Sequence, residues 1–166
     1  MMYIPEKTFT EASHILTSSG NVVSRSAILH RPENVEIPSG KCIIEERVHV
    51  HGDLAPVKLN KYVIIGEGTT LSPPCINSDG EELKYIPMTI GKYVCIGSNS
   101  EIQAAIVGMG VIIGNNCWLG PRCILKDYVQ VEDGAFVPPN MVTTIYSFFS
   151  LLALLNPFPH LPISLL

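Results

Sequence analysis

An aliphatic residue returns at every sixth position through the middle of this 166-residue chain. The series slips by one residue after Ile102, and its members are Ile90, Ile96, Ile102, Val107, Ile113, Leu119, Leu125, Val131 and Val137. Glycine directly follows many of them. An α-helix has a period of about 3.6 residues and is weakened by repeated glycine, so this region is not helical.

A second inward position lies four residues after each member and usually holds a small residue: Val94, Ser100, Ile106, Val111, Cys117, Cys123, Val129 and Ala135. In a repeat of six, the position four residues after one member lies two residues before the next member. Two inward side chains at this separation define a very short strand, because alternate residues of a strand share a face. A turn that uses Gly or Asn with positive φ then bends the chain by a third of a revolution, and Asn99, Asn115 and Asn116 lie where those bends fall. Three such units close a triangular coil, which predicts an all-β chain of stacked parallel coils. This pattern resembles the left-handed parallel β-helix of hexapeptide-repeat proteins, and the resemblance supplies the handedness.

The repeat divides the chain into three predicted parts. Residues 1–25 cap the first coil, residues 26–142 form the β-helix with a protruding loop at 73–87, and residues 143–166 form an apolar tail. Upstream of the loop the register is looser, with Ile44, Val50, Leu59, Ile65 and Leu71 as aliphatic members and Val48, Leu54, Val63, Thr69 and Cys75 as their partners. The tail contains no charged residue, and three prolines interrupt its apolar run. A membrane-spanning helix needs about 20 apolar residues, so membrane anchoring is the weaker alternative for the tail.

Charge and cysteine content narrow the functional classes. A formal net charge of −4 and scattered Lys and Arg residues give no attraction to nucleic acid or to anionic membranes. The five cysteines are odd in number and form no C-x-x-C pair, and residues 1–10 lack the apolar core of a secretory signal. Reduced thiols in the cytosol are therefore expected.

A zinc enzyme is one alternative for this fold. The run His51-Gly52-Asp53 resembles the Arg-Gly-Asp of γ-class carbonic anhydrases, which bind zinc through three histidines. Alignment by the repeat puts those ligand positions at Ser72, Ser98 and Gln103, and these residue types do not replace imidazole at a catalytic zinc.

His49 and His51 share one face of a strand, and two readings remain open for them. They form either a two-ligand metal site or a pair of exposed strand histidines. The second reading is the more common one, so we predict no bound metal and no cofactor.

An acyltransferase is the other enzymatic alternative. Such enzymes use a histidine general base in or beside a loop between coils, and residues 73–87 contain no histidine. Cys117 and Cys123 occupy inward positions, where a thiol is an inert packing group. Cys95 points outward without a neighbouring His or Arg. We therefore predict no catalytic residue.

The outward positions directly before the aliphatic series point to a binding surface. Residues three hexapeptides apart stack, so Trp118 should lie over Phe136, and Ile106 over Ile124 and Val142. Stacked apolar side chains form a patch, and patches bind other surfaces. Trp118, Phe136 and Ile124 are therefore candidate partner-binding residues, together with Tyr85 and Ile86 in the loop. An intramolecular C-terminal helix lying on this face is the competing interpretation.

Five segments outside the repeat resemble one family. They are Ser19–Ser26, Gly52–Ala55, Pro73-Pro74, Arg122–Asp127 and Pro138-Pro139, in order between about residue 7 and residue 142. On these segments the chain resembles the family of the twenty-five-kilodalton pointed-end subunit of dynactin (dynactin subunit five).

The resemblance implies a noncatalytic structural subunit in the cytoplasm, associated with microtubules. Its implied partners are a companion β-helix subunit, a pointed-end actin-related protein and a large pointed-end subunit, and indirectly dynein and its cargo adaptors. The family continues after this region with a strand, a Gly-rich turn and a charged amphipathic helix. The chain departs from that pattern at its uncharged block from Thr143, for which a frame change, intron read-through and an alternative transcript are three hypotheses.

Overall fold

The computed structural model describes residues 9–38, 40–76 and 83–150. Before the loop its strands are β1 (His14–Leu16), β2 (Val22–Ser24), β3 (Ile28–His30), β4 (Val35–Glu36), β5 (Ile43–Ile44), β6 (His49–His51), β7 (Val57–Leu59), β8 (Ile64–Ile65) and β9 (Thr70–Leu71). In the loop and beyond they are β10 (Cys75–Ile76), β11 (Lys84–Tyr85), β12 (Met88–Ile90), β13 (Cys95–Ile96), β14 (Glu101–Ile102), β15 (Ile106–Val107), β16 (Ile112–Ile113), β17 (Trp118–Leu119), β18 (Ile124–Leu125), β19 (Gln130–Val131), β20 (Phe136–Val137) and β21 (Phe148–Phe149). One 3-10 helix spans Pro32–Asn34.

Successive strands join three different sheets, which form the faces of a prism. Face A has the order β1-β2-β5-β8-β13-β16-β19-β21, face B the order β20-β17-β14-β9-β6-β3, and face C the order β18-β15-β12-β7-β4. Neighbouring strands within a face are parallel, except that β1 runs antiparallel to β2. The chain is therefore a left-handed parallel β-helix, as the repeat and its resemblance predicted.

The aliphatic series forms the core. Each of its nine members from Ile90 to Val137 is at most 1% exposed, and the five upstream members are fully buried. Their side chains stack coil upon coil along the prism axis, so that one continuous cluster holds all three faces together. Burying a residue of this type stabilises a fold by about 1.5–3 kcal/mol relative to leaving it in water.

Three second-position predictions were wrong. Ile106 is 46% exposed and Ala104 is buried instead, because the one-residue slip moves Ile106 onto the outward position directly before Val107. Leu54 is half-buried in the corner between β6 and β7, where Ala55 is buried. Cys75 is half-buried because it belongs to the hairpin of the loop rather than to the coil.

The corners use left-handed backbone conformations, as predicted, but not only at Gly and Asn. Asn99 and Asn116 have φ of 54° and 55° at the corner between faces A and B. The corner between faces C and A instead places tyrosines at positive φ, among them Tyr62, Tyr93 and Tyr128. A left-handed residue costs about 1–2 kcal/mol, so the stacking of coils must offset that cost at each of these positions.

The loop leaves the prism between β9 and β12. Strands β10 and β11 pair antiparallel, and Pro73 and Pro74 at the loop start are buried. Residues 77–82, the acidic middle of the predicted loop, lie outside the described residues.

The ladder also continues into the uncharged block. Thr143 is buried and accepts a hydrogen bond from the Lys126 amide at 2.8 Å, and Phe148 pairs with Gln130. The division of the chain at residues 25 and 142 stays a prediction, since residues 1–8 and 151–166 lie outside the described part. Within the described ranges no helix is long and apolar enough to cross a lipid bilayer.

Candidate partner-binding surface

Trp118 and Phe136 stack on face B near the C-terminal end of the prism. Strands β17 and β20 pair in parallel with Trp118 opposite Phe136, and the ring centroids lie 4.7 Å apart at an interplanar angle of 8°. Trp118 is half-buried and Phe136 is 39% exposed. Gly120 leaves room for the indole, because a Cβ there would lie 2.9 Å from a carbon of the Trp118 ring. The predicted stack is confirmed, and part of its aromatic surface is open to solvent.

A second apolar column lies on face C. Ile106 pairs with Ile124, and an isolated bridge places Ile124 beside Val142, as predicted. Ile106 is 46% and Val142 56% exposed, whereas Ile124 between them is half-buried. The other end of this face is polar, since Lys58 forms an ion pair with Glu36 at 3.0 Å.

Tyr85 and Ile86 lie in the loop rather than on either column. Tyr85 pairs with Cys75 across the hairpin, and the Ile86 amide donates to the Pro74 carbonyl at 2.9 Å. Both side chains are half-buried. The structure thus brings Trp118 and Phe136 together, while Ile124 belongs to another face, and a binding role for any of the five stays a prediction.

Sequence reasoning missed three exposed apolar side chains on face A, which Cys95 and Gln130 separate from one another along the ladder. Ile64, Ile112 and Phe148 are 39%, 50% and 55% exposed along this face. The signal was available, because Ile64 and Ile112 hold the same outward position, directly before an aliphatic member, that identified Trp118. Tyr62 and Tyr93 stack beside this face with ring centroids 5.0 Å apart.

A polar cluster occupies the opposite, N-terminal end of face B. Parallel pairing of β3 and β6 places His30 beside His51, with ring centroids 4.3 Å apart and planes 4° from parallel. His30 Nε2 lies 3.4 Å from His49 Nδ1, and His51 Nδ1 lies 3.1 Å from Asp53 Oδ1. The sequence identified His49 and His51 as sharing a face, but it gave no reason to add His30. The pairing of His30 with His51 can be recognised only when the number of residues in the coil between them is known.

Charge at this cluster favours an ionised carboxylate. Partial desolvation acts to raise the pKa of Asp53, but hydrogen bonds from its own backbone amide and from His51 act against it. Positive charge on His51 and His30 acts in the same direction, and together these interactions hold the pKa of Asp53 below its usual value.

The positions aligned with carbonic-anhydrase zinc ligands serve the scaffold. The Ser72 amide donates to the Ile102 carbonyl at 2.9 Å, and the Ser98 amide donates to Asn115 Oδ1 at 2.8 Å. Gln103 donates its side-chain amide to Glu101 at 2.5 Å. Two serine hydroxyls and a glutamine amide at these positions do not form the three-histidine site that catalytic zinc requires.

The surroundings of Cys95, Cys117 and Cys123 disfavour the thiolate form that a nucleophile needs. Burial raises the pKa of Cys117, and it raises the pKa of Cys123 to about 12. Cys95 is on the outer face, yet desolvation by its neighbours raises its pKa as well. A thiol must ionise to attack, so these shifts act against nucleophilic catalysis.

Thiol labelling at pH 8 should therefore be slow. In a Cys75→Ser background, Ellman's reagent is expected to label Cys95 about tenfold or more slowly than free cysteine, because little thiolate is present. Cys42, Cys117 and Cys123 should react only after unfolding in guanidinium, which serves as the control. Labelling of Cys95 at or above the rate of free cysteine would contradict this account of its surroundings.

Comparisons with known proteins identify a family and a relative with a similar sequence. The family model for dynactin subunit 5 matches residues 2–157. Dynactin subunit 5 of Dictyostelium discoideum is 39% identical over 107 residues, covering 64% of this chain and 53% of that protein. The chain thus spans about half the length of the curated relative it matches.

Among solved structures the likeness is one of fold. PerB from Caulobacter crescentus, in complex with coenzyme A and GDP-perosamine, has a TM-score of 0.50 at 14% identity, covering 75% of this chain and 51% of that chain. A mutant of AntD, an N-acyltransferase from Bacillus cereus, has a TM-score of 0.40 at 14% identity, covering 81% of this chain and 84% of that chain. At this identity the first likeness shows the stacked-coil fold alone.

Proposed function

The chain belongs to the dynactin subunit 5 family, and we propose that it is a noncatalytic structural subunit of the dynactin pointed-end complex. In this role it supports cargo and adaptor recruitment for dynein-driven transport along microtubules, in the cytoplasm. Its direct partners are other pointed-end subunits: a companion β-helix subunit, an actin-related protein and a large subunit.

The observation that supports this most is the Trp118–Phe136 stack on face B. A side chain on a solvated strand face is usually polar, whereas here two aromatic rings lie in register on adjacent coils. Aromatic side chains in well-packed patches supply much of the energy of protein interfaces. A stable contact needs about 800 Å² on each partner, and a face built of many parallel strands offers a flat surface of that order.

The rigidity of the stacked coils suits the prism to a scaffold role. In the central coils of the described part, backbone hydrogen bonds tie each coil to the next on all three faces, for example from the Trp118 amide to the Ala135 carbonyl at 3.0 Å. Binding to a surface that is already ordered loses little conformational entropy, which favours assembly through shape. The described residues also bring together no nucleophile, base and orienting group in the manner of a catalytic site.

A binding experiment with purified proteins tests the proposal. The full chain is mixed with the companion β-helix subunit and analysed by size-exclusion chromatography with light scattering. We expect a one-to-one complex that withstands dilution to the micromolar range. Two separate peaks from well-folded proteins would contradict a direct role in the pointed end.

A calorimetric titration with acetyl-coenzyme A distinguishes the enzymatic alternative. A noncatalytic subunit should give no heat of binding above dilution. Saturable binding of one molecule per chain would favour an acyltransferase instead.

A further inference from the structure

Four side chains with metal-binding atoms converge at the N-terminal end of face B. His49 and His51 flank the buried Val50 on β6, so both project outward. His30 on β3 reaches the same place from the adjacent coil through the parallel register. Asp53 follows β6 by two residues and directs its carboxylate to His51. We call His30, His49, His51 and Asp53 the histidine cluster.

The spacing of the histidine cluster suits one metal ion. With metal–ligand bonds of about 2.0–2.1 Å in a tetrahedral site, two neighbouring ligand atoms are about 3.3 Å apart. His30 Nε2 and His49 Nδ1 are separated by 3.4 Å, and His51 Nδ1 and Asp53 Oδ1 by 3.1 Å. One ligand atom from each of His30, His51 and Asp53 lies within 4.8 Å of the others. His49 lies outside this group of three, and the stacked rings of His30 and His51 must turn before their nitrogens face one ion.

The donor set selects the kind of ion. Three imidazoles and one carboxylate suit zinc and its borderline neighbours copper and nickel, whereas magnesium and calcium prefer oxygen ligands. We propose that the histidine cluster binds one zinc ion, with His30, His51 and Asp53 as ligands and His49 in the fourth position. Four protein ligands leave no open position for water, so the site is structural.

The location of the site gives the ion a mechanical role. His30 belongs to one coil and the other three residues to the next, so that an ion bound by all four joins the two coils. This site is separate from the Trp118–Phe136 stack, because Thr70 on β9 and Glu101 on β14 lie between them on face B. The inference therefore goes beyond the proposed scaffold function and is tested independently of it.

Zinc titration of the full chain tests the site. The protein is produced without a polyhistidine tag, treated with EDTA, dialysed and titrated with ZnCl₂ by calorimetry. We expect one ion per chain and a rise in Tm of about 5 °C at saturation, because the ion binds only the folded state. His30→Gln and His51→Gln should each weaken binding by about tenfold or more, as should Asp53→Asn.

Control variants distinguish zinc binding at the histidine cluster from zinc binding by other side chains and from loss of the fold. Cys95→Ser removes an exposed thiol on face A and should leave zinc affinity unchanged. The Tm values of the histidine variants in EDTA should match that of the wild type, which shows that they fold. In the same protein loaded with CuCl₂, the electron paramagnetic resonance spectrum should show coupling to at least two imidazole nitrogens.

Three results would overturn the inference. They are an absence of saturable zinc binding to the folded chain, affinity that is unaffected in the His30→Gln and His51→Gln variants, and loss of binding in Cys95→Ser.

Discussion

Replacing Gly97 by alanine is expected to destabilise the folded chain by about 3 kcal/mol or more. A Cβ at Gly97 would lie 2.5 Å from the carbonyl carbon of Gly114 and 2.7 Å from the amide nitrogen of Asn115. Both atoms belong to the backbone of the next coil, which a side-chain rotation cannot move. The Gly97 amide also donates to the Ile113 carbonyl at 2.8 Å, so the two coils cannot separate without losing that bond.

Equilibrium urea denaturation followed by circular dichroism measures this loss. The matched control is Gly134→Asn, at a corner where no atom lies within 4 Å of the added Cβ. Its φ of 71° resembles those of Asn99 and Asn116, which occupy the same corner in earlier coils. We expect the control to change the free energy of unfolding by no more than about 0.5 kcal/mol. Equal losses in the two variants, or none in Gly97→Ala, would contradict the close stacking of coils.

Replacing Trp118 by alanine is expected to weaken the complex with the companion β-helix subunit by about thirtyfold or more. A central aromatic residue of an interface typically contributes 2 kcal/mol or more, and about 1.4 kcal/mol corresponds to a factor of ten in Kd. The variant should keep its fold, because Trp118 lies outside the buried series and Leu119 beside it supplies the core contact. Phe136→Ala should weaken the complex less, since the indole stays in place.

The Ile112→Ala variant is the matched control for the effect of Trp118→Ala on the Kd of the complex. Ile112 is 50% exposed at the equivalent outward position on face A, so this change removes apolar surface without touching face B. Its Kd should remain within about threefold of the wild type. If Ile112→Ala weakened the complex and Trp118→Ala did not, face A rather than face B would be the contact surface.

The regular part of the fold was predictable because the period of six sets both burial and register. Trp118 and Phe136 are 18 residues apart, which is one coil of three hexapeptides, and they pair as that spacing requires. The same rule found the column of Ile106, Ile124 and Val142. The one-residue slip after Ile102 breaks the rule locally, so counting four residues on from Ile102 places Ile106 inward although it is 46% exposed.

The irregular coils were harder to predict. His51 lies 21 residues after His30, not 18, and the extra residues fall in corners where the sequence has no period. The pairing of His30 with His51 therefore depends on how each corner folds. For this reason the sequence did not predict that the residues of the histidine cluster lie together. The tyrosines at positive φ were missed for a related reason. Local preference disfavours Tyr62 and Tyr93 in a left-handed corner, but the stacking of neighbouring coils and of their rings overrides it.

Affinity purification of the tagged full chain from its own cells, with quantitative mass spectrometry of the proteins recovered, tests the central claim most directly. The account predicts recovery of the companion β-helix subunit and the pointed-end actin-related protein in amounts comparable to the chain. Recovery of a folded chain with neither of them would contradict its role as a dynactin subunit.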